Sequence, residues 1–123
     1  MKKKLFTALL SLVTIAGFAI VDRPQVSLSA QGPVGVLPYE EFTFTISYRN
    51  VKEMAVVINE VTTDNIYLWP WQMGDIEWRT MDYTDKIMGY DMSVTYTVVV
   101  YNEEGQDDKS IVFTTPGPPF TGR

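Results

Sequence analysis

Residues 41–49 read Glu-Phe-Thr-Phe-Thr-Ile-Ser-Tyr-Arg, an unbroken alternation of polar and apolar side chains. A period of two suits only an extended strand with one face buried and the other wet. Phe42, Phe44, Ile46 and Tyr48 are therefore expected to face a core, and Thr43, Thr45, Ser47 and Arg49 to face water. The same period recurs in Gln25–Ala30, which ends at Gly32-Pro33, and in the mostly apolar Met54–Val61. It returns in the β-branched stretch Met92–Asn102, with Val94, Tyr96, Val98 and Val100 on one face, and in Ser110–Thr115. No long stretch carries the 3.6-residue stripe of an amphipathic helix. The chain therefore reads as all-β, and 123 residues allow one domain.

The middle of the chain, Asn65–Tyr83, is dense in apolar residues, and Pro70 forbids a regular central strand there. Two short edge-like strands, Ile66–Trp69 and Ile76–Met81, are expected to flank a turn over Pro70–Asp75. Ile76 and Trp78 then face inward, and phase makes Trp78 the core tryptophan. Glu103–Asp108 reads as the turn of a second hairpin, joining Met92–Asn102 to Ser110–Thr115.

The N-terminus has a different character. Lys2, Lys3 and Lys4 precede the apolar run Leu5–Ile15, and the small residues Gly17 and Ala19 stand at the positions a signal peptidase requires. This pattern predicts a signal peptide over 1–19, with cleavage before Ile20. The rival reading continues the apolar run to Val21, about 17 residues, which is the lower limit for a membrane-spanning anchor. No cysteine is present to carry a lipid or a disulfide, so an exported domain must rely on its core. The Lys-rich start and the lack of cysteine and of any Asn-x-Ser/Thr acceptor fit a bacterial exported protein, secreted, periplasmic or at the cell surface. The chain has 15 acidic and 10 basic residues; losing the three lysines leaves seven basic groups against fifteen acidic ones, a net charge of −8. That charge repels phosphate backbones and anionic lipid, which argues against nucleic-acid binding and electrostatic membrane docking. Membrane attachment then requires an uncleaved anchor.

Tyr96-Thr97-Val98-Val99-Val100-Tyr101-Asn102-Glu103-Glu104-Gly105, followed by Ile111-Val112-Phe113-Thr114-Thr115-Pro116, resembles the closing hairpin of bacterial immunoglobulin-like and fibronectin type III domains. The likeness is close over residues 94–116 only. Met88-Gly89-Tyr90-Asp91 replaces the Leu-x-Pro-Gly run of fibronectin type III, and no tryptophan stands near Tyr48, which favours a generic immunoglobulin-like sandwich. The resemblance implies a single Greek-key β-sandwich of about seven strands over 20–115, followed by a Pro/Gly-rich extended tail over 116–123. It also implies that Tyr96 forms a tyrosine corner; Phe44 and Val98, by alternation, and Trp78, by phase, are the expected structural core residues.

Without histidine or cysteine no Ser-His or Cys-His nucleophile can be assembled, and zinc loses its commonest ligands. The carboxylate pairs Asp75/Glu77 and Asp82/Asp85 are the nearest approach to glycosidase chemistry, but a small sandwich rarely builds a deep cleft. The expectation is a protein that is not an enzyme and needs no cofactor. Glu103, Glu104, Asp107 and Asp108 are weak calcium candidates, since their spacing lacks the D-x-D-x-D-G pattern; acidic tips also discourage edge pairing. No metal is expected.

The aromatic residues are more informative. Tyr67, Trp69 and Trp71 are spaced by two, so an extended segment projects all three rings to one side, interrupted by Pro70. They are either core aromatics or an exposed platform for a protein partner or a glycan. Tyr83, Tyr90 and Tyr101 extend such a surface or simply sit at strand ends. The leading expectation is a non-enzymatic exported module acting by protein contact, as an accessory or structural component of the envelope or a secreted assembly. The alternative is a small carbohydrate-binding module in which Gln72 and Asp75 add hydrogen bonds to the rings.

Intact mass of the exported protein checks the N-terminal reading. A chain beginning at Ile20 is expected, and a mass that retains Lys2 to Ala19 makes the segment an anchor instead.

Overall fold

A computed structural model describes residues 23–73 and 76–119. The expected signal segment, Asp75 and the end of the tail lie outside the described residues. The described residues form eight strands: β1 (Gln25–Leu28), β2 (Val34–Gly35), β3 (Glu41–Arg49), β4 (Glu53–Ile58), β5 (Thr62–Ile66), β6 (Arg79–Lys86), β7 (Ser93–Asn102) and β8 (Gly105–Thr114). They make two sheets, a three-stranded one ordered β1-β3-β6 and a five-stranded one ordered β2-β8-β7-β4-β5. All pairings are antiparallel except the short contact of β2 with β8. Among the described residues, no helix is long and apolar enough to cross a membrane.

The buried faces carry the alternating residues. Phe44, Ile46 and Tyr48 of β3 and Val94, Tyr96, Val98 and Val100 of β7 are all buried, together with Met54, Val56, Ile111 and Phe113. One half of this core is aromatic. The Phe44 ring lies 5.4 Å from Tyr83, 5.9 Å from Tyr96 and 5.7 Å from Phe113, centroid to centroid. Such tilted contacts, and the edge-on one between Tyr96 and Phe113, add to the gain from apolar burial alone.

Two tyrosines reach the sheet margins, where their hydroxyls find carboxylates. Tyr96 donates to Oδ2 of Asp85 on β6 at 2.7 Å, and Tyr83 donates to Oδ2 of Asp64 on β5 at 2.9 Å. Each bond joins one sheet to the other. Tyr96 thus bonds a side chain and does not form the expected tyrosine corner, in which the hydroxyl bonds the backbone. On the opposite margin the Val26 amide donates to Oδ2 of Asp107 at 3.0 Å, tying β1 to β8. Gly32 passes so close to β8 that a Cβ there would collide with the Val112 backbone, so a side chain would block the crossing from β1 to β2.

Three expectations for the middle of the chain do not hold. Of the predicted strand Ile66–Trp69 only Ile66 is in a strand, as the last residue of β5, because β4 begins at Glu53 and Met54 already pairs with Ile66. Beyond Ile66 the chain has almost nothing to pair with. The predicted strand Ile76–Met81 starts only at Arg79, opposite Tyr48, where β3 runs out. In β6 the half-buried residues are Arg79, Met81, Tyr83 and Asp85, one position out of phase with the predicted inward set. Trp78 is therefore not the core tryptophan; it is 48% exposed, with the Arg49 guanidinium carbon 5.1 Å from its ring centroid. The acidic turn is also shorter than predicted, since Asn102 pairs with Gly105 and only Glu103 and Glu104 lie between them. Gly105, at φ +148°, takes a backbone conformation that side chains disfavour.

Burial and the bond to Asp85 raise the Tyr96 pKa above its ordinary value, and burial and the bond to Asp64 do the same for Tyr83. The folded state thus favours the neutral phenols. Their contribution is fully present below the unfolded pKa of about 10 and is lost as pH rises above it, at about 1.4 kcal/mol per pH unit for Tyr96. Urea unfolding across that range should show falling stability, and Tyr96→Phe should flatten the slope while costing about 2 kcal/mol at neutral pH. An unchanged slope and stability in the variant would contradict the bond's role.

Candidate functional site

The segment between β5 and β6 leaves both sheets and closes one end of the sandwich. Leu68 is buried, and Met73 packs partly buried against the core. Between them Pro70–Gln72 form one 3-10 turn, as suits a proline whose φ is preset and whose missing N–H would otherwise break a ladder. Gln72 secures the turn twice. Its Oε1 accepts the Trp69 amide at 2.9 Å, and its backbone carbonyl accepts the Tyr48 hydroxyl at 3.0 Å. Burial also raises the pKa of Tyr48, with a smaller opposing effect from Arg79.

With those anchors inside, the rings are left outside. Tyr67 is 87% exposed, Trp69 65% and Trp71 68%. Because Trp71 lies in the 3-10 turn, the three do not project from one extended strand. Among the described residues no ring–ring contact involves any of them, and the described stacking is confined to the core and to Tyr39–Tyr90. Gln72, expected to offer hydrogen bonds to a ligand, has its two carbonyl oxygens engaged by the Trp69 amide and the Tyr48 hydroxyl. Asp75 lies outside the described residues.

Trp78 stands at this same end, beyond the first residue of β6, and Ile76 beside it in sequence is exposed. All three tryptophans of the chain therefore gather at one pole of the sandwich. The chain arrives at that pole as well, because the Arg23 carbonyl accepts Nδ2 of Asn50, which follows β3 at φ +56°. A groove of about 750 Å³ opens at the tryptophan pole beside β4 and β5, with Ala55, Val57, Ile66, Tyr67 and Tyr101 among its lining residues. Trp69 and Trp71 stand outside this groove.

The acidic hairpin residues do not converge. Glu103 pairs with Lys52, which holds its carboxyl below the ordinary range, while Asp107 bonds the Val26 amide and faces Lys109. Among the described residues no three carboxylates group as a metal would require. Two short turn residues cannot fold four carboxylates inward, and Asp107 and Asp108 belong to β8.

Sequence reasoning missed the pairs Tyr96–Asp85 and Tyr83–Asp64. The only signal available was the spacing Met81-x-Tyr83-x-Asp85, which fixes the phase of β6 once Thr80, Asp82 and Thr84 are read as its wet face. The chain matches no protein-family model, and no curated protein matches its sequence.

Trp71→Ala is expected to change unfolding stability by less than about 1 kcal/mol, as for other exposed positions, whereas Leu68→Ala should cost about 2–4 kcal/mol. Urea denaturation of both variants checks this, and a reversed order would place the Trp71 ring in the core.

Proposed function

We propose that the chain is an exported, non-enzymatic immunoglobulin-like module that works by protein contact, as an accessory or structural component of an envelope or secreted assembly. The observation that carries this reading is the exposure of three tryptophans and Tyr67 at one pole of a sandwich whose core is otherwise complete. Tryptophan and tyrosine are the side chains that most often anchor interfaces, because they offer large rigid area at low entropic cost.

Support for the immunoglobulin part comes from strand order. β3 and β6 pair in one sheet while β4, β7 and β8 pair in the other, and β2 lies parallel to β8. In immunoglobulin-type Greek keys the second and fifth strands pair likewise, facing a sheet of third, sixth and seventh strands. Here β5 extends that second sheet. Export rests on the basic and apolar N-terminal sequence. A glycan platform is less well supported, because it needs parallel rings and the 3-10 turn breaks their alignment.

The test is a photo-crosslinking side chain at position 71 in the exported protein. A discrete protein adduct is expected there, and none from the same side chain at position 43 on the wet face of β3. Tryptophan emission that shifts and saturates with one soluble polysaccharide, with no protein adduct, would replace this reading by the carbohydrate-binding one.

A further inference from the structure

The end opposite the tryptophans is apolar too. Leu37 and Tyr39, just before β3, and Met88, Tyr90 and Met92, between β6 and β7, are all exposed. The Tyr39 and Tyr90 rings meet edge to face at 6.1 Å, and the Tyr39 amide donates to the Ile87 carbonyl at 2.8 Å, which fixes the two loops together. The nine residues of β3 separate the poles by about 30 Å. Between them, the outward positions of the three-stranded sheet are polar: Thr43, Thr45 and Ser47 on β3, and Thr80, Asp82 and Thr84 on β6. We propose that copies of this chain dock end to end, the tryptophan pole of one on the tyrosine–methionine pole of the next.

Three features favour that occupant. A large side chain offers roughly 150–250 Å², so the exposed residues present about 500–800 Å² per pole, close to the ~800 Å² per partner of a specific interface. The chemistry is complementary, since methionine thioethers pack favourably on aromatic rings. Charge disfavours the pairing of like poles on one side. The tyrosine–methionine pole carries exposed Glu40, Glu41 and Asp91 beside Lys86, whereas the tryptophan pole sets Arg23, Arg49, Lys52 and Arg79 against Glu53, Glu77, Glu103 and Glu104. Two acidic poles repel each other, and pairing two tryptophan poles leaves the other apolar patch uncovered. Only head-to-tail docking covers both patches, and because it does not close on itself it generates open chains.

The inference rests on the contact-module reading above and names a second copy as the partner. Sedimentation velocity of the exported protein over a concentration series tests it, with Trp71→Asp and Tyr90→Asp alone and mixed in equal amounts. The wild type should grow beyond a dimer, each variant alone should associate at least about tenfold more weakly, and the mixture should stop at a dimer because each variant keeps one intact pole. Trp69→Asp and Met88→Asp replace either variant whose unfolding profile departs from the wild type. A wild type that stays monomeric overturns the proposal, as does assembly that survives Tyr90→Asp but not Trp71→Asp. If the monomer's tryptophan emission instead shifts blue on phosphatidylcholine vesicles, the pole belongs to a lipid surface. A position-71 adduct to a different protein, with a monomeric wild type, leaves the contact reading standing and removes only this one.

Discussion

Everything in this domain depends on the packing of the inner face of β3 against that of β7, because no disulfide joins the sheets. Phe44, Ile46 and Tyr48 share one core with Tyr96, Val98 and Val100, and these six side chains are essentially removed from water. Burying an aromatic or branched side chain is worth about 1.5–3 kcal/mol. The two strands also occupy the centres of their sheets, so every other strand is placed by pairing with them or with a strand that does.

Tyrosines in such a core impose a second condition. A buried phenol without a partner would cost much of what its ring contributes. Here the strand positions of Tyr96 and Tyr83 let the rings stay among Phe44 and Phe113 while their hydroxyls reach Asp85 and Asp64. Those bonds fall along one margin, between β6 and the five-stranded sheet. The Val26–Asp107 bond serves the other margin, where β2 is too short to cover β8. The core thus determines where charged groups stand at the seams.

The strands with strict alternation were legible because one residue of slip would expose their whole apolar set. Glu41–Arg49 is β3 to the residue, and Val94, Tyr96, Val98 and Val100 are all buried on β7. Where a strand ends, however, depends on its neighbour. β5 stops at Ile66 and β6 starts at Arg79 because their partners run out at Glu53 and Arg49, which no local pattern announces. β2 was invisible for the same reason, two residues held only by a parallel contact with β8. The rings of Tyr67, Trp69 and Trp71 could be read as core or as surface, since residues in a loop obey no period. The loop's inward anchors, Leu68, Met73 and the carbonyl of Gln72, decide that they face out.

This division of labour within one loop bears on function. A loop that merely closed the sandwich would be served by Leu68 and Met73, with polar residues between them. Instead the positions the anchors leave free carry the largest side chains available, in a protein whose other exposed positions on β3, β6 and β8 are mostly Thr, Ser, Asp and Lys. Solvating that apolar area contributes nothing to folding, and contiguous patches of several hundred Å² on a soluble domain ordinarily mark a surface that is covered in use. The turn that presents them is held by the Tyr48 hydroxyl, so the core strand that organises the fold also sets the position of the contact surface. A change at Tyr48 would therefore act on the core and on the placement of that turn together.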